Sequence, residues 1–106
     1  MSDLVVLLTT LPADHQAEEL ARTLVEERLA ACVNVAGPMV SIYHWKDQVE
    51  TATERQVVIK TTRARLPELE ARLRALHPYE LPEWLILDVG ASEAYAAWMS
   101  AATRTA

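Results

Sequence analysis

Residues 77–84 read His-Pro-Tyr-Glu-Leu-Pro-Glu-Trp, which sets an imidazole (His77), a phenol (Tyr79) and two carboxylates (Glu80 and Glu83) between Pro78 and Pro82. Imidazole and carboxylate groups ligate metals, and the single thiol, Cys32, adds a soft donor; together they suit copper or zinc. One Cys and one His fall short of the four ligands of a closed zinc site. His77 therefore needs oxygen ligands from Glu80 and Glu83, or donors from another chain. Each residue also has a plainer reading. A lone Cys ahead of a Val-rich strand is a small buried hydrophobe, and a His at a helix C-terminus complements the helix dipole.

A second constellation surrounds Lys60, the one cation in the apolar run Val57-Val58-Ile59-Lys60. Glu54, six residues earlier, shares its face under period-two alternation. With Trp45 and Tyr79 they make a pocket holding a cation, a carboxylate and aromatic walls, the mixed lining of small-ligand sites. The alternative is a salt bridge between chains. His15 and His44 read as surface residues.

The prolines say where these groups sit. Pro78 disfavours the α conformation at His77 and lacks an N–H, so a helix ends there, and Pro82 precedes a strand at Trp84–Leu87. Elsewhere, residues 3–9 form a first strand. Asp14 caps a helix through Ala31, with Ala17, Leu20, Ala21, Leu24 and Val25 on one face. From Cys32 the period changes to two: Val40, Ile42 and His44 face one way, and Met39, Ser41, Tyr43 and Trp45 the other. Gly37-Pro38 marks a bulge or bend in this strand. A tight turn at Lys46-Asp47-Gln48 leads to a third strand over about residues 49–61. Leu66, Leu69, Leu73 and Leu76 make an amphipathic helix with Pro67 in its first turn, and a last helix capped by Ser92 carries Tyr95, Trp98 and Met99.

This order is the α+β, ferredoxin-like βαββαβ sandwich with an extra C-terminal helix, and it forms a single domain over residues 1–106. Strands of about 13 residues reach about 40 Å, whereas a helix of that length covers about 20 Å. The β2–β3 hairpin therefore overhangs, bearing Ile42, Tyr43, Trp45 and Val49. Exposed apolar strands need a cover, and further copies of the chain in a closed oligomer supply one.

Composition narrows the partners. The net charge of −5 argues against nucleic acid, whose backbone is bound through Lys and Arg. No apolar run is long enough to cross a membrane, and the N-terminus lacks the basic flank of a signal peptide, so the expected compartment is the cytoplasm.

Five blocks resemble the CutA family of divalent-cation tolerance proteins. They are Ala21-Arg22 with Leu24–Asn34, then Ser41–Lys46, Glu54 with Ile59-Lys60-Thr61, His77–Glu80 with Pro82-Glu83, and Tyr95 with Trp98. The resemblance implies a ferredoxin-like homotrimer similar to PII signalling proteins, with ligand-sized clefts between subunits and a link to copper and other divalent metals. It places proposed copper ligands at Cys32 and His77 and brings no agreed catalytic activity. Where some members carry a cysteine near the end of the first strand, this chain has Thr9, which removes a soft ligand. Asp47 replaces a common Gly, and Arg55 a usually apolar residue.

The leading expectation is a non-enzymatic trimer that binds a divalent metal, copper before zinc, or a small, including anionic, effector at intersubunit clefts. One alternative is a small phosphoryl-compound hydrolase on the same fold. That enzyme needs an anion cradle with Arg or Asn, and Thr9-Thr10-Leu11-Pro12 offers neither. A structural trimeric scaffold is the other.

Overall fold

Alternation along Leu4–Pro12, the first strand (β1), sends Val5, Leu7, Thr9 and Leu11 to one face, where all four are buried. Two helices cover that face. In α1 (Gln16–Glu26), Ala17, Leu20 and Leu24 recur at three- and four-residue steps and point inward. In α2 (Leu66–Leu76), which follows a 3-10 turn over Arg63–Arg65, Leu69 and Leu73 do the same. With Val57 and Ile59 of the third strand they form one core. The computed structural model describes residues 2–104. Its remaining elements are β2 (Cys32–Trp45), β3 (Gln48–Thr62), β4 (Leu85–Val89) and α3 (Glu93–Ala102). The sheet is antiparallel in the order β2-β3-β1-β4, which is the ferredoxin-like arrangement.

Several boundaries differ from those expected. α1 stops at Glu26 rather than Ala31, because Arg28 takes a left-handed φ of 59° and reverses the chain. The N–H groups of Leu29 and Ala30 both donate to the Leu24 carbonyl, and that of Ala31 donates to the Lys60 carbonyl, which starts β2. Asp14 accepts from the Gln16 N–H at 2.9 Å, so it caps the first turn from two residues ahead of the helix. β1 runs to Pro12 rather than residue 9, because Thr10, Leu11 and Pro12 pair with Gln56, Arg55 and Glu54. In α3, Ser92 caps as expected by accepting from the Tyr95 N–H. Met99 alone of the three expected residues is buried, while Tyr95 and Trp98 stack tilted at the surface.

The overhang is present. β1 pairs with β3 only as far as Pro12/Glu54. Residues 48–53 of β3 run on for about 20 Å paired to β2 alone. On this arm Val40, Ile42 and Val49 are 67%, 70% and 67% exposed, and the molecule measures 44 × 25 × 23 Å. At its root the β2–β3 register shifts between Ala36 and Met39. Gly37 sits there at φ 131°, and a Cβ would lie 3.0 Å from Arg55 Cα, so only glycine fits. At the tip, Trp45 pairs with Gln48, and Lys46 and Asp47 have φ of 51° and 64°. This is the two-residue type I′ turn that matches strand twist.

Asp tolerates the left-handed region better than most residues but less well than Gly. Asp47→Gly should therefore raise stability by about 0.5 kcal/mol, and the β-branched Asp47→Val should lower it by about 1–2 kcal/mol. Urea unfolding midpoints of the two variants provide the check, and equal midpoints would refute the turn assignment.

Candidate functional site

Glu54 occupies the last β1–β3 pair, opposite Pro12, and faces Met39 across the first β2–β3 pair beyond the bulge. It thus stands where the four-stranded sheet gives way to the two-stranded arm. The loop from α2 to β4 folds back against this point, and its Tyr79 hydroxyl donates to Glu54 Oε2 at 2.8 Å. Glu54 is 7% exposed. Burial, and then the bond to Glu54, hold the Tyr79 phenol protonated well above the usual range.

His77 fixes this loop. Its Nε2–H donates to the Thr10 carbonyl at 2.8 Å, with Thr9 Oγ1 at 3.3 Å, and its Nδ1 accepts from the Tyr79 N–H at 3.1 Å. A carbonyl only accepts and an N–H only donates, so the two backbone partners define the tautomer. Burial lowers the imidazole pKa below its ordinary value, outweighing the Thr10 carbonyl and the Glu54 charge, which pull the other way. His77 is a buried neutral clamp with both nitrogens engaged.

Above it opens a cleft of about 830 Å³. The loop supplies Tyr79, Glu80 and Glu83, β3 supplies Glu54 and Gln56, and the hairpin supplies Met39, Tyr43 and Trp45. Gln56 Nε2 donates to the Thr9 carbonyl at 2.7 Å and to Glu83 Oε2 at 3.3 Å, tying the loop to the sheet. Lys46 places its ammonium 5.7 Å from the Trp45 ring centroid. Among the described residues no Lys or Arg lines the cleft, whose formal charge rests on three carboxylates.

Of the expected site residues, Trp45, Glu54, Tyr79, Glu80 and Glu83 come together here, with His77 beneath them. Lys60 shares a sheet face with Glu54 but lies about 20 Å farther along the strand, at six residues' rise. Cys32 pairs with Lys60 rather than with the Thr10/Gln56 level of His77, a separation of about 13 Å along the sheet. It also faces the side opposite Thr9, so the fold does not unite Cys32 and His77. Among the described residues no three His, Cys, Asp or Glu side chains are grouped to hold a metal ion. One chain alone therefore does not form a closed metal site. Thr10 and Gln56 were not singled out from the sequence, and Tyr43 was singled out only as an exposed residue of the hairpin. The alternation that aligned Tyr43 with Trp45 already carried that signal.

The fold and site define a ferredoxin-like protein with an acidic, aromatic-walled cleft at the root of a projecting hairpin. Residues 5–102 match the family described as CutA1 divalent ion tolerance protein, and the chain belongs to that family. It is 41% identical over 95 residues to the divalent-cation tolerance protein CutA of Thermus thermophilus, covering 89% of this chain and 92% of the relative. The crystal structure of CutA from Xylella fastidiosa superposes with a TM-score of 0.92 at 38% identity, covering 97% of this chain and 100% of that one. CutA from Synechococcus elongatus matches equally well, with a TM-score of 0.92 at 39% identity, 98% of this chain and 93% of that one.

Because the His77 pKa is lower folded than unfolded, the unfolded chain takes up protons first as pH falls through the ordinary value of 6.5. The stabilising contribution of neutral His77 is complete above that pH and is lost as pH falls through the folded pKa. His77→Gln should be less stable than the parent at pH 7.5, and the gap should narrow toward pH 5. Melting curves of both proteins across that range test this, and a gap that widened on acidification would overturn the neutral-clamp assignment.

Proposed function

We propose that this chain serves divalent-cation tolerance without catalysis, as a homotrimer that binds a cationic ligand in the cleft at the hairpin root. The observation that carries the reading is the lining itself: three carboxylates, one of them buried, and no basic side chain among the described residues. Such a site attracts cations and repels phosphoryl anions. The absence of catalysis is supported by His77, whose two nitrogens already bond backbone groups and leave none to act as a base.

Assembly is supported by what one chain leaves uncovered. β2 and β4 are unlike free edges. The sheet face away from α1 and α2 presents Leu85 and Leu87, about half exposed, beside Val6, Leu8 and Val58. Only its far end is closed, where Met99 of α3 packs on Leu4 and Val89. Unlike edges favour a head-to-tail contact that closes into a ring, and three copies is the number the family resemblance implies. Copper(II) heads the affinity order of divalent first-row metals at nitrogen and oxygen donors, which makes it the metal for this reading, with donors drawn from two chains.

Native mass spectrometry at neutral pH with and without copper(II), on the parent and on Glu54→Gln, tests the proposal. A trimer taking up whole numbers of copper per chain, weakened at least tenfold by the substitution, is the expected result. A monomer would overturn the assembly. Uptake unchanged in Glu54→Gln would overturn the site.

A further inference from the structure

The cleft and the donors for a metal do not match. A bare cation needs several ligands converging within about 2–2.6 Å of one point, and no such grouping exists among the described residues of one chain. The cleft is instead about 830 Å³, within the range of small-molecule sites. Its walls are those of an organic ligand: Tyr43, Trp45 and Tyr79 contribute aromatic side chains, and Met39 and Leu81 contribute apolar ones.

Glu54 supplies the second observation. Its side chain lines the cleft, is more than nine-tenths buried and receives one hydrogen bond, from the Tyr79 hydroxyl to Oε2. No other described donor reaches it, and no Lys or Arg pairs with it, whereas Glu18, Glu27, Glu68, Glu70 and Asp88 all have an arginine partner. A buried carboxylate without a countercharge is costly and is relieved by a cation that also donates hydrogen bonds. The His77 imidazole cannot serve, because burial keeps it neutral and its one N–H is given to Thr10.

We propose that the cleft takes an organic cation, a primary ammonium or guanidinium on a short aliphatic chain. The charged head donates to Glu54, and the aliphatic body lies against the aromatic walls. Aromatic faces add cation–π attraction to the ion pair. Lys46 over Trp45 makes the same kind of contact within the chain. A second head group on the ligand meets Glu80 or Glu83 at the mouth, so a diammonium binds more tightly than a monoammonium. The inference rests on the cation-binding reading above and adds to its copper(II), whose donors come from two chains, an organic cation that the lining of one chain fits.

The test uses the full chain in the assembly it forms, at low ionic strength, with 1,4-diaminobutane, n-butylammonium and 1,4-butanediol as probes, followed by calorimetric titration and Trp fluorescence. Expected is saturable binding of the diamine, weaker binding of butylammonium and none of the diol. Glu54→Gln, which keeps an oxygen for the Tyr79 hydroxyl, should weaken the diamine at least tenfold, and Tyr43→Leu about fivefold. Equal responses to diamine and diol, or an unaltered diamine affinity in Glu54→Gln, would overturn the proposal without recourse to any variant that fails to fold. Copper(II) titrated in parallel separates the two readings. Glu54-dependent copper uptake with no diamine binding refutes the organic ligand and leaves the cation site standing. Failure of both cations refutes both.

Discussion

The unequal lengths of paired strands govern this molecule. β1 ends at Pro12, opposite Glu54, while β2 and β3 continue together. Pro12 has no N–H for a further ladder bond, and from that point the sheet narrows to a ribbon. The bulge at Gly37 lies at the same level and lets β2 change register as it leaves the sheet. Everything of chemical interest collects at this step, because the missing continuation of β1 leaves room that the α2–β4 loop enters only in part. The space left over is the cleft.

Holding the loop there takes several weak bonds with fixed directions. The Thr10 carbonyl selects the Nε2–H tautomer of His77, which leaves Nδ1 to accept the Tyr79 N–H. That bond orients the Tyr79 ring, which tilts against the imidazole at a centroid distance of 4.9 Å, so its hydroxyl meets Glu54. Gln56 repeats the device on the other side by linking the Thr9 carbonyl to Glu83. Thr9, which stands where some family members carry a soft ligand, is fully buried beside the imidazole and contributes packing and a hydroxyl contact. Another departure acquires a partner too: Arg55 pairs with Glu18 of α1.

The element order, the sheet topology and the overhanging hairpin were legible in the sequence because each follows from a local period or from a length. Glu80 and Glu83 were legible beside His77, and Trp45, Glu54 and Tyr79 in a second constellation with Lys60, because ligand-type residues interrupt otherwise structural patterns; that the two sets share one cleft, without Lys60, is given by the fold. The separation of Lys60 from Glu54 was legible too, since six residues of one strand span about 20 Å; grouping the two by alternation gave weight to their shared face and none to that length. The early end of α1 was hidden, since Leu29, Ala30 and Ala31 are good helix formers. Only tertiary burial explains why Arg28 accepts a left-handed φ to insert them.

His77 shows that residue type alone does not make a metal ligand. Imidazole is a ligand only while a ring nitrogen keeps a free lone pair. Here one nitrogen carries the proton given to Thr10, and the other is occupied by the Tyr79 N–H. To ligate, His77 must release the backbone of its own loop, and with it the bond that aims Tyr79 at Glu54. The same residue cannot hold the cleft in shape and also coordinate an ion within it. Within the cleft Glu54 keeps bonding capacity: one oxygen accepts from the Tyr79 hydroxyl, and no described donor reaches the other. The charge and shape of the space around that oxygen, rather than the imidazole, set what the site accepts.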